Sequence, residues 1–394
     1  MKKTADIVII GGGVAGCSCA YYLAKRGFRN IVLVEKKYIT SGSTGRCAAN
    51  FKEQWESPVK CEMGKYSIRQ FKVLGEETGF GDLEVVQNGY MFTLYQPDQV
   101  AEFKRRQTMQ NSIGVPTQYL EPYEVKQIIP QYNTAGLLGA ILNPEDGHIN
   151  PFKLTFAYEK GAKDRGVEFD TYTTVTGIRV EGGRVKAVIT DRGTIETPVV
   201  INATEAETKW ISRMVGLYHP VEPQKHEILI TEPMDYLKLP MITSYDQKIY
   251  IHQMPHGGFA MGTLNEFQPM GIVNYGSSWN FLEEMCRRAV QMIPAFQNVR
   301  VIRQWAGHYG MTPDMNVILG PAPEVEGYIL ATGAAKSMMM SPAIGTLIAE
   351  ILAGDTESAI PISKKDVGLS RFQNYFINPG GSSKKNMDAE DAVS

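Results

Sequence analysis

Ala5-Asp-Ile-Val-Ile-Ile-Gly-Gly-Gly-Val-Ala-Gly16 is a short β-branched run that passes straight into Gly11-x-Gly13-x-x-Gly16 and then into a helical pattern. In this order the three glycines have separate mechanical tasks. Gly11 makes a tight turn, Gly13 lets the backbone come close to a pyrophosphate, and Gly16 lets the helix lie close to the strand. Phosphates then meet the unsatisfied N–H groups and the positive dipole end of a helix starting near Val14. Residues 31–34 form a second apolar strand that runs into Glu35, roughly 20 residues after the glycines, where an acid accepts hydrogen bonds from an adenosine ribose. A bare glycine pattern is weak, whereas strand, glycines, helix, strand and terminal acid together point to a dinucleotide site.

Composition narrows the alternatives. The 394 residues exceed the ~250–300 at which one hydrophobic core stops growing, so two interlocked domains are expected. A formal net charge of -2 gives no electrostatic footprint for nucleic acid. No stretch approaches the ~18 consecutive apolar residues of a membrane-spanning helix. Met1-Lys-Lys leads directly into the first strand without a signal peptide's apolar region, so the expected location is cytoplasmic. Cys17, Cys19, Cys47, Cys61 and Cys286 form an odd, scattered set with no C-x-x-C pair, and Cys17 and Cys19 point to different faces of one helix. The six histidines show no metal-ligand spacing either, so no metal is expected.

Hydrophobic periodicity predicts helices over 58–80, 98–114, 121–129, 151–166, 278–293 and 341–352. Residues 172–200 alternate as short strands with Gly182-Gly183 and Arg192-Gly193 at the turns, and 199–203 reads as a buried strand of the parallel type. Residues 226–231, 241–245, 248–253 and 258–264 read as antiparallel strands, the last two joined across Met254-Pro-His256-Gly-Gly258. Residues 327–333 form another buried strand. From Pro379 the chain is rich in Gly, Ser, Lys and Asp and is expected to be a disordered tail over 379–394.

These motifs, with Ser41-Gly-Ser-Thr-Gly-Arg-Cys47, Val199-Val-Ile-Asn-Ala-Thr204, Thr312-Pro-Asp314 and Gly327-Tyr-Ile-Leu-Ala-Thr-Gly333, resemble the D-amino-acid oxidase superfamily of FAD enzymes. The sarcosine oxidase and glycine oxidase branch fits best. Within it the chain is most similar to the β-subunit type of dye-linked L-proline dehydrogenase, through Glu222-Pro-Gln-Lys-His226, His256-Gly-Gly258 and Trp305-Ala-Gly-His-Tyr309. The resemblance implies an α/β fold: a glutathione-reductase-like, Rossmann-type FAD-binding domain over 1–85, 150–220 and 300–375, with a discontinuous antiparallel-sheet substrate domain over 86–149 and 221–299.

For the cofactor, the resemblance and the motif together assign Gly11, Gly12, Gly13, Val14, Ala15, Gly16, Glu35 and Lys36 to the ADP half, and Ser43, Thr44 and Arg46 to the pyrophosphate and flavin. Val175, Ala203 and Thr204 would offer contacts toward the adenine side. Gly333, Lys336, Ser337, Met338 and Met339 would approach the flavin ring. Gly307 stands where some relatives carry a cysteine bonded to the flavin, so the FAD is expected to be non-covalent. The implied chemistry is hydride transfer from the carbon next to an amine onto flavin N5, leaving an imine.

The candidate catalytic residues are Lys52, Tyr250, His256 and Lys336. Lys52 stands where relatives carry a carboxylate-clamping arginine, and keeps the charge without the bidentate fork. Lys336 lies in a loop that departs from the family pattern; it either supplies positive charge to the reduced flavin or points to solvent. His256 either contacts substrate or caps the turn at Gly257-Gly258. Tyr250 either lines the pocket or packs in the core. A further departure is Glu205-Ala-Glu207, where relatives have a small residue and a tryptophan.

Three functions follow. The first is oxidation of a small amino acid or secondary amine of the proline, hydroxyproline, sarcosine or glycine type, with electrons passed to a partner. That partner would be a second flavin or iron-sulphur subunit, in a hetero- or homo-oligomer peripheral to the inner face of the membrane through the partner. The second is an FAD enzyme for a non-standard N-methylated amine. The third is a catalytically silent flavoprotein subunit of a larger dehydrogenase complex.

Overall fold

A computed structural model describes residues 2–263, 270–271 and 273–372. The expected tail at 379–394 and the end of the expected strand at Leu264 lie outside these.

Two sheets organise the chain. The first has six strands in the order Ile318–Pro321, Tyr328–Thr332, Val199–Asn202, Ile7–Ile10, Ile31–Val34 and Glu168–Asp170. Ile7–Ile10 pairs in parallel with Val199–Asn202 on one side and Ile31–Val34 on the other. The chain therefore leaves this central strand at a topological switch point, where open α/β sheets place their ligands beyond the carboxyl ends of the strands. These strands read as unbroken apolar runs because both sheet faces are covered.

On one face lies the helix Val14–Lys25, buried from Val14 to Ala24. Helices Pro151–Lys163 and Ser341–Ala353 pack on it through glycines. An added Cβ at Gly161 would stand 2.7 Å from the Tyr21 ring, and one at Gly345 would press on Ser18 and Tyr22. Helix Pro58–Glu77 opens at Ser57, whose side chain accepts the Lys60 N–H. The other face is covered by the three-stranded ribbon Val175–Glu181, Arg184–Thr190 and Gly193–Glu196.

The second sheet has eight strands in the order Val301–Met311, Glu222–Thr231, Phe259–Thr263, Ile249–Gln253, Met241–Ser244, Tyr90–Leu94, Gly139–Asn143 and Gln118–Leu120. It is mixed, since Met241–Ser244 and Tyr90–Leu94 run parallel. Val301–Met311, which the resemblance assigns to the FAD-binding segments, pairs along its length with Glu222–Thr231. Helix Trp279–Met292 buries Phe281, Met285, Ala289 and Met292 against one face of this sheet. The opposite face, carrying Tyr90, Phe92 and Tyr250, looks toward Ala48 and Trp305 and forms one wall of the site.

Candidate active site

At the carboxyl ends of the six-stranded sheet lies a cavity of about 560 Å³. Gly11 (φ +111°) turns the chain there, and a Cβ on it would stand 2.7 Å from the Ala203 carbonyl oxygen. A Cβ at Gly16 would overlap the Gly11 carbonyl oxygen. At Gly13 an added Cβ would meet only the Thr44 hydroxyl, at 3.3 Å. The glycines thus do what the spacing requires: two close the backbone on itself and one leaves an open face.

Gly11, Gly13, Val14 and Ala15 line the cavity beside the first helical turn, whose N–H groups lack intrahelical partners. The Val14 N–H is donated to Thr44 Oγ1 at 3.1 Å. Gly12 faces away, donating its N–H to Glu35 Oε2 at 2.8 Å. Glu35 Oε1 accepts from Lys37 N–H at 2.8 Å and from the Ser41 hydroxyl at 3.2 Å. A carboxylate has about four acceptor positions, so capacity remains on the cavity side.

Lys36 bridges to Glu207 (Nζ–Oε2 2.6 Å) across the rim. Ser43 donates to the His308 carbonyl, and Arg46 donates to the carbonyls of Ser41 and Gly42. Val175, Ala203, Thr204, Ser337 and Met338 complete the wall. Gly307 is behind it, its Cα facing Arg46 Cβ, and the Gly333 N–H is turned to Glu205. Tyr275 and His308 also line the cavity and were not singled out from the sequence; Tyr275 stacks under the Arg46 guanidinium at 4.7 Å.

A second, smaller cavity of about 130 Å³ adjoins the first, sharing Tyr309 and Ala335 as wall. It is well below the ~300–1,000 Å³ of pockets for drug-sized ligands, so it suits a small molecule. Trp55, Tyr90, Phe92, Tyr245 and Tyr250 surround it, and Lys52 and Lys336 enter it. Gly262 makes room for the Tyr250 ring on the neighbouring strand.

The two lysines flank one indole: Lys52 Nζ is 4.0 Å and Lys336 Nζ 5.3 Å from the Trp55 ring centroid. Lys336 Nζ donates to the carbonyls of Met315 at 2.7 Å and Ala334 at 3.3 Å. Burial lowers the Lys52 ammonium to about 8, against the opposing pull of Glu56 and Asp146. Burial, then repulsion from Lys60, lowers Lys336 to about 7. Lys60 is itself paired with Glu56. Two lysines, both starved of solvent and both beside one indole, can hold an anion when protonated.

The structure brings Lys52, Tyr250, Lys336 and Met339 together and leaves His256 out. His256 lines a separate cavity with Pro255 and Trp305, and its Nδ1 accepts the Gly258 N–H at 3.3 Å, the turn-capping arrangement. The histidine in the pocket wall is His226, from the quoted Glu222–His226 motif. Its ring lies 4.1 Å from that of Tyr309, and burial lowers it to about 3, keeping it neutral.

Comparison with known proteins gives one family: a model described as FAD dependent oxidoreductase matches residues 6–351. The structure of L-proline dehydrogenase from P. horikoshii superposes with a TM-score of 0.89 at 34% identity, covering 95% of this chain and 99% of that one. Sarcosine oxidase subunit beta of Rhodobacter capsulatus is 27% identical over 389 residues, 96% of this chain and 91% of its own length. The mitochondrial pyruvate dehydrogenase phosphatase regulatory subunit of Mus musculus is 29% identical over 351 residues, 84% of this chain. This chain spans only 39% of that relative's length.

Proposed function

The chain belongs to the FAD dependent oxidoreductase family, and from that premise we propose that it oxidises the carbon–nitrogen bond of a small carboxylated amine. The substrate is of the proline, hydroxyproline, sarcosine or glycine type, and the product is an imine. The observation that carries this is the pair Lys52 and Lys336 around Trp55, in a pocket of about 130 Å³ that adjoins the cofactor cavity.

The residues present fit FAD, because the space that a Cβ on Gly11 or Gly16 would fill is needed by the turn, and Gly13 leaves its face open toward the cavity. Glu35 would take the ribose, the turn at Gly13–Ala15 the pyrophosphate, and Arg46, Ser337 and Met338 the ring end. In this reading it is held without a covalent bond. Bound FAD supplies a two-electron acceptor for the hydride.

The chain's own residues bind and orient. Lys52 and Lys336 hold the substrate carboxylate, a charge-assisted contact strengthened by exclusion of water. The aromatic walls Trp55, Tyr90, Phe92 and Tyr250 fit the substrate's carbon frame and leave little room for a longer side chain. Tyr309, in the wall shared with the cofactor cavity, and the neutral His226 beside it would face the amine. Oxidation of the amine would remove one hydride from the carbon next to nitrogen and one proton from the nitrogen, leaving the imine.

Relatives named as a dehydrogenase and as an oxidase subunit support transfer of electrons to a partner chain within an oligomer. The test is turnover of the FAD-loaded protein with a dye acceptor over proline, hydroxyproline, sarcosine, glycine and N-methylated amines lacking a carboxylate. Imine or its hydrolysis product from a carboxylated amine supports the proposal; turnover of the carboxylate-free amines alone contradicts it.

A further inference from the structure

One side chain in the cofactor cavity is bonded to a loop that lines both cavities. Glu205 follows the strand Val199–Asn202, lines the cofactor cavity and holds a left-handed backbone at φ +50°. Its carboxylate gathers four hydrogen bonds from a single loop. Oε1 accepts the Ala335 N–H at 2.9 Å. Oε2 accepts the Gly333 N–H at 2.9 Å, the Ser337 hydroxyl at 2.7 Å and the Thr332 hydroxyl at 3.3 Å.

That loop needs holding. Ala334 and Ala335 are at φ +45° and +69°, a region that residues with a Cβ leave unless the surroundings impose it. The loop also has two working faces. Ser337 and Met338 line the cofactor cavity, Lys336 and Met339 line the small pocket, and Ala335 lines both. Hydrogen bonds to an ionised carboxylate are stronger than neutral ones, and here a single carboxylate takes four.

We propose that Glu205 is a positioning residue that ties residues 332–337 in the one conformation that presents Lys336 to the substrate carboxylate and Ser337 and Met338 to the cofactor. The substrate half of this rests on the function proposed above; the cofactor half does not. Glu205 also acts through charge: it and Glu56 favour the Lys336 ammonium, while Lys52 and Lys60 oppose it. Loss of the carboxylate therefore weakens both ligands together, although Glu205 lies in only one of the two cavities.

The experiment uses the full chain loaded with FAD and the variants Glu205→Ala, Glu205→Gln and Ser337→Ala. Three quantities are read: hydrogen exchange of peptides covering 332–340, the FAD dissociation constant from flavin fluorescence, and the affinity for oxolane-2-carboxylate from the flavin spectrum. The probe is proline with its ring nitrogen replaced by oxygen. Glutamine keeps the shape but turns an NH2 toward the loop's donors, so Glu205→Gln is expected to behave like Glu205→Ala.

In both Glu205 variants exchange over 332–340 quickens at least tenfold. FAD and probe each bind at least tenfold more weakly, and the pH midpoint of probe binding moves down. Ser337→Ala removes one of the four bonds and gives smaller changes of the same sign, which keeps the test available if the Glu205 variants do not fold. Unchanged exchange and FAD affinity in a folded Glu205 variant would overturn the proposal, as would faster exchange spread evenly over the molecule. Exchange and FAD affinity need no substrate, so they separate failure of this tie from failure of the amine-oxidation reading.

Discussion

The proposed binding of a substrate carboxylate by two buried lysines has a pH signature whose size follows from the site. Burial holds Lys52 near 8 and Lys336 near 7. A bound carboxylate favours the ammonium form of each, so binding takes up protons above pH 7 and weakens as pH rises. At pH 9 about one Lys52 in ten and one Lys336 in a hundred keeps its proton, so affinity is expected to fall roughly 1,000-fold between pH 6 and pH 9. Either lysine acting alone would give roughly 10-fold or 100-fold.

The charge contributes in a second way. A carboxylate about 4 Å from one ammonium gains ~4 kcal/mol at an effective dielectric near 20, and desolvation cancels part of this. Lys52→Met keeps the stem packed on Trp55 and removes the charge, at an expected cost of about 2 kcal/mol, or roughly 30-fold in dissociation constant. The assay is titration of the FAD-loaded protein with oxolane-2-carboxylate, which stays anionic over the whole range and has no amine to titrate. His256→Ala serves as the control expected to bind like wild type, because His256 faces another cavity. A dissociation constant flat from pH 6 to 9, or unchanged in both Lys52→Met and Lys336→Met, would refute the reasoning.

Buried neutral histidines set the acid limit of the fold. His148 and His219 are lowered to about 4, and His226 and His252 to about 3, in each case chiefly by burial. Below ~6.5 the unfolded chain binds protons that the folded chain refuses, so stability falls as pH drops from 6.5 toward these values, by about 2 kcal/mol per histidine at pH 5. Urea unfolding at pH 7 and pH 5 is expected to show a loss of several kcal/mol. Gly16→Ala drives a Cβ into the Gly11 carbonyl oxygen. It is expected to destabilise the protein by ~1–3 kcal/mol and to lower the flavin-to-protein ratio after gel filtration, read from absorbance.

The nucleotide half of the molecule was legible because its signals are local. Strand, glycine turn and helix follow one another over Ile7–Lys25, and Glu35 closes on the same turn through the Gly12 N–H. The boundaries of Pro58–Glu77, Trp279–Met292 and Ser341–Ala353 were set by a cap, an amphipathic face and a terminal Gly354, all readable in sequence. The eight-stranded sheet was harder. Tyr90–Leu94 and Gly139–Asn143 are buried on both faces, so they lack an alternating pattern, and Val301–Met311 is defined by its long-range pairing with Glu222–Thr231.

In the site, resemblance located Lys52 and Lys336, yet their shared indole depends on Trp55, three residues from Lys52 and distant in sequence from Lys336. His256 and His226 stood in equally suggestive motifs. Only the sheet order decides which of them faces the pocket. Glu205 was visible as a departure from the family pattern, but its four bonds span about 130 residues of chain, which no local signal carries.

The most direct measurement is anaerobic mixing of the FAD-loaded chain with proline, hydroxyproline, sarcosine, glycine and carboxylate-free N-methylated amines, following the oxidised flavin band. Rapid bleaching by a carboxylated amine, slowed or weakened in Lys52→Met and Lys336→Met, is the expected result. Fully loaded FAD that no carboxylated amine reduces would contradict the account.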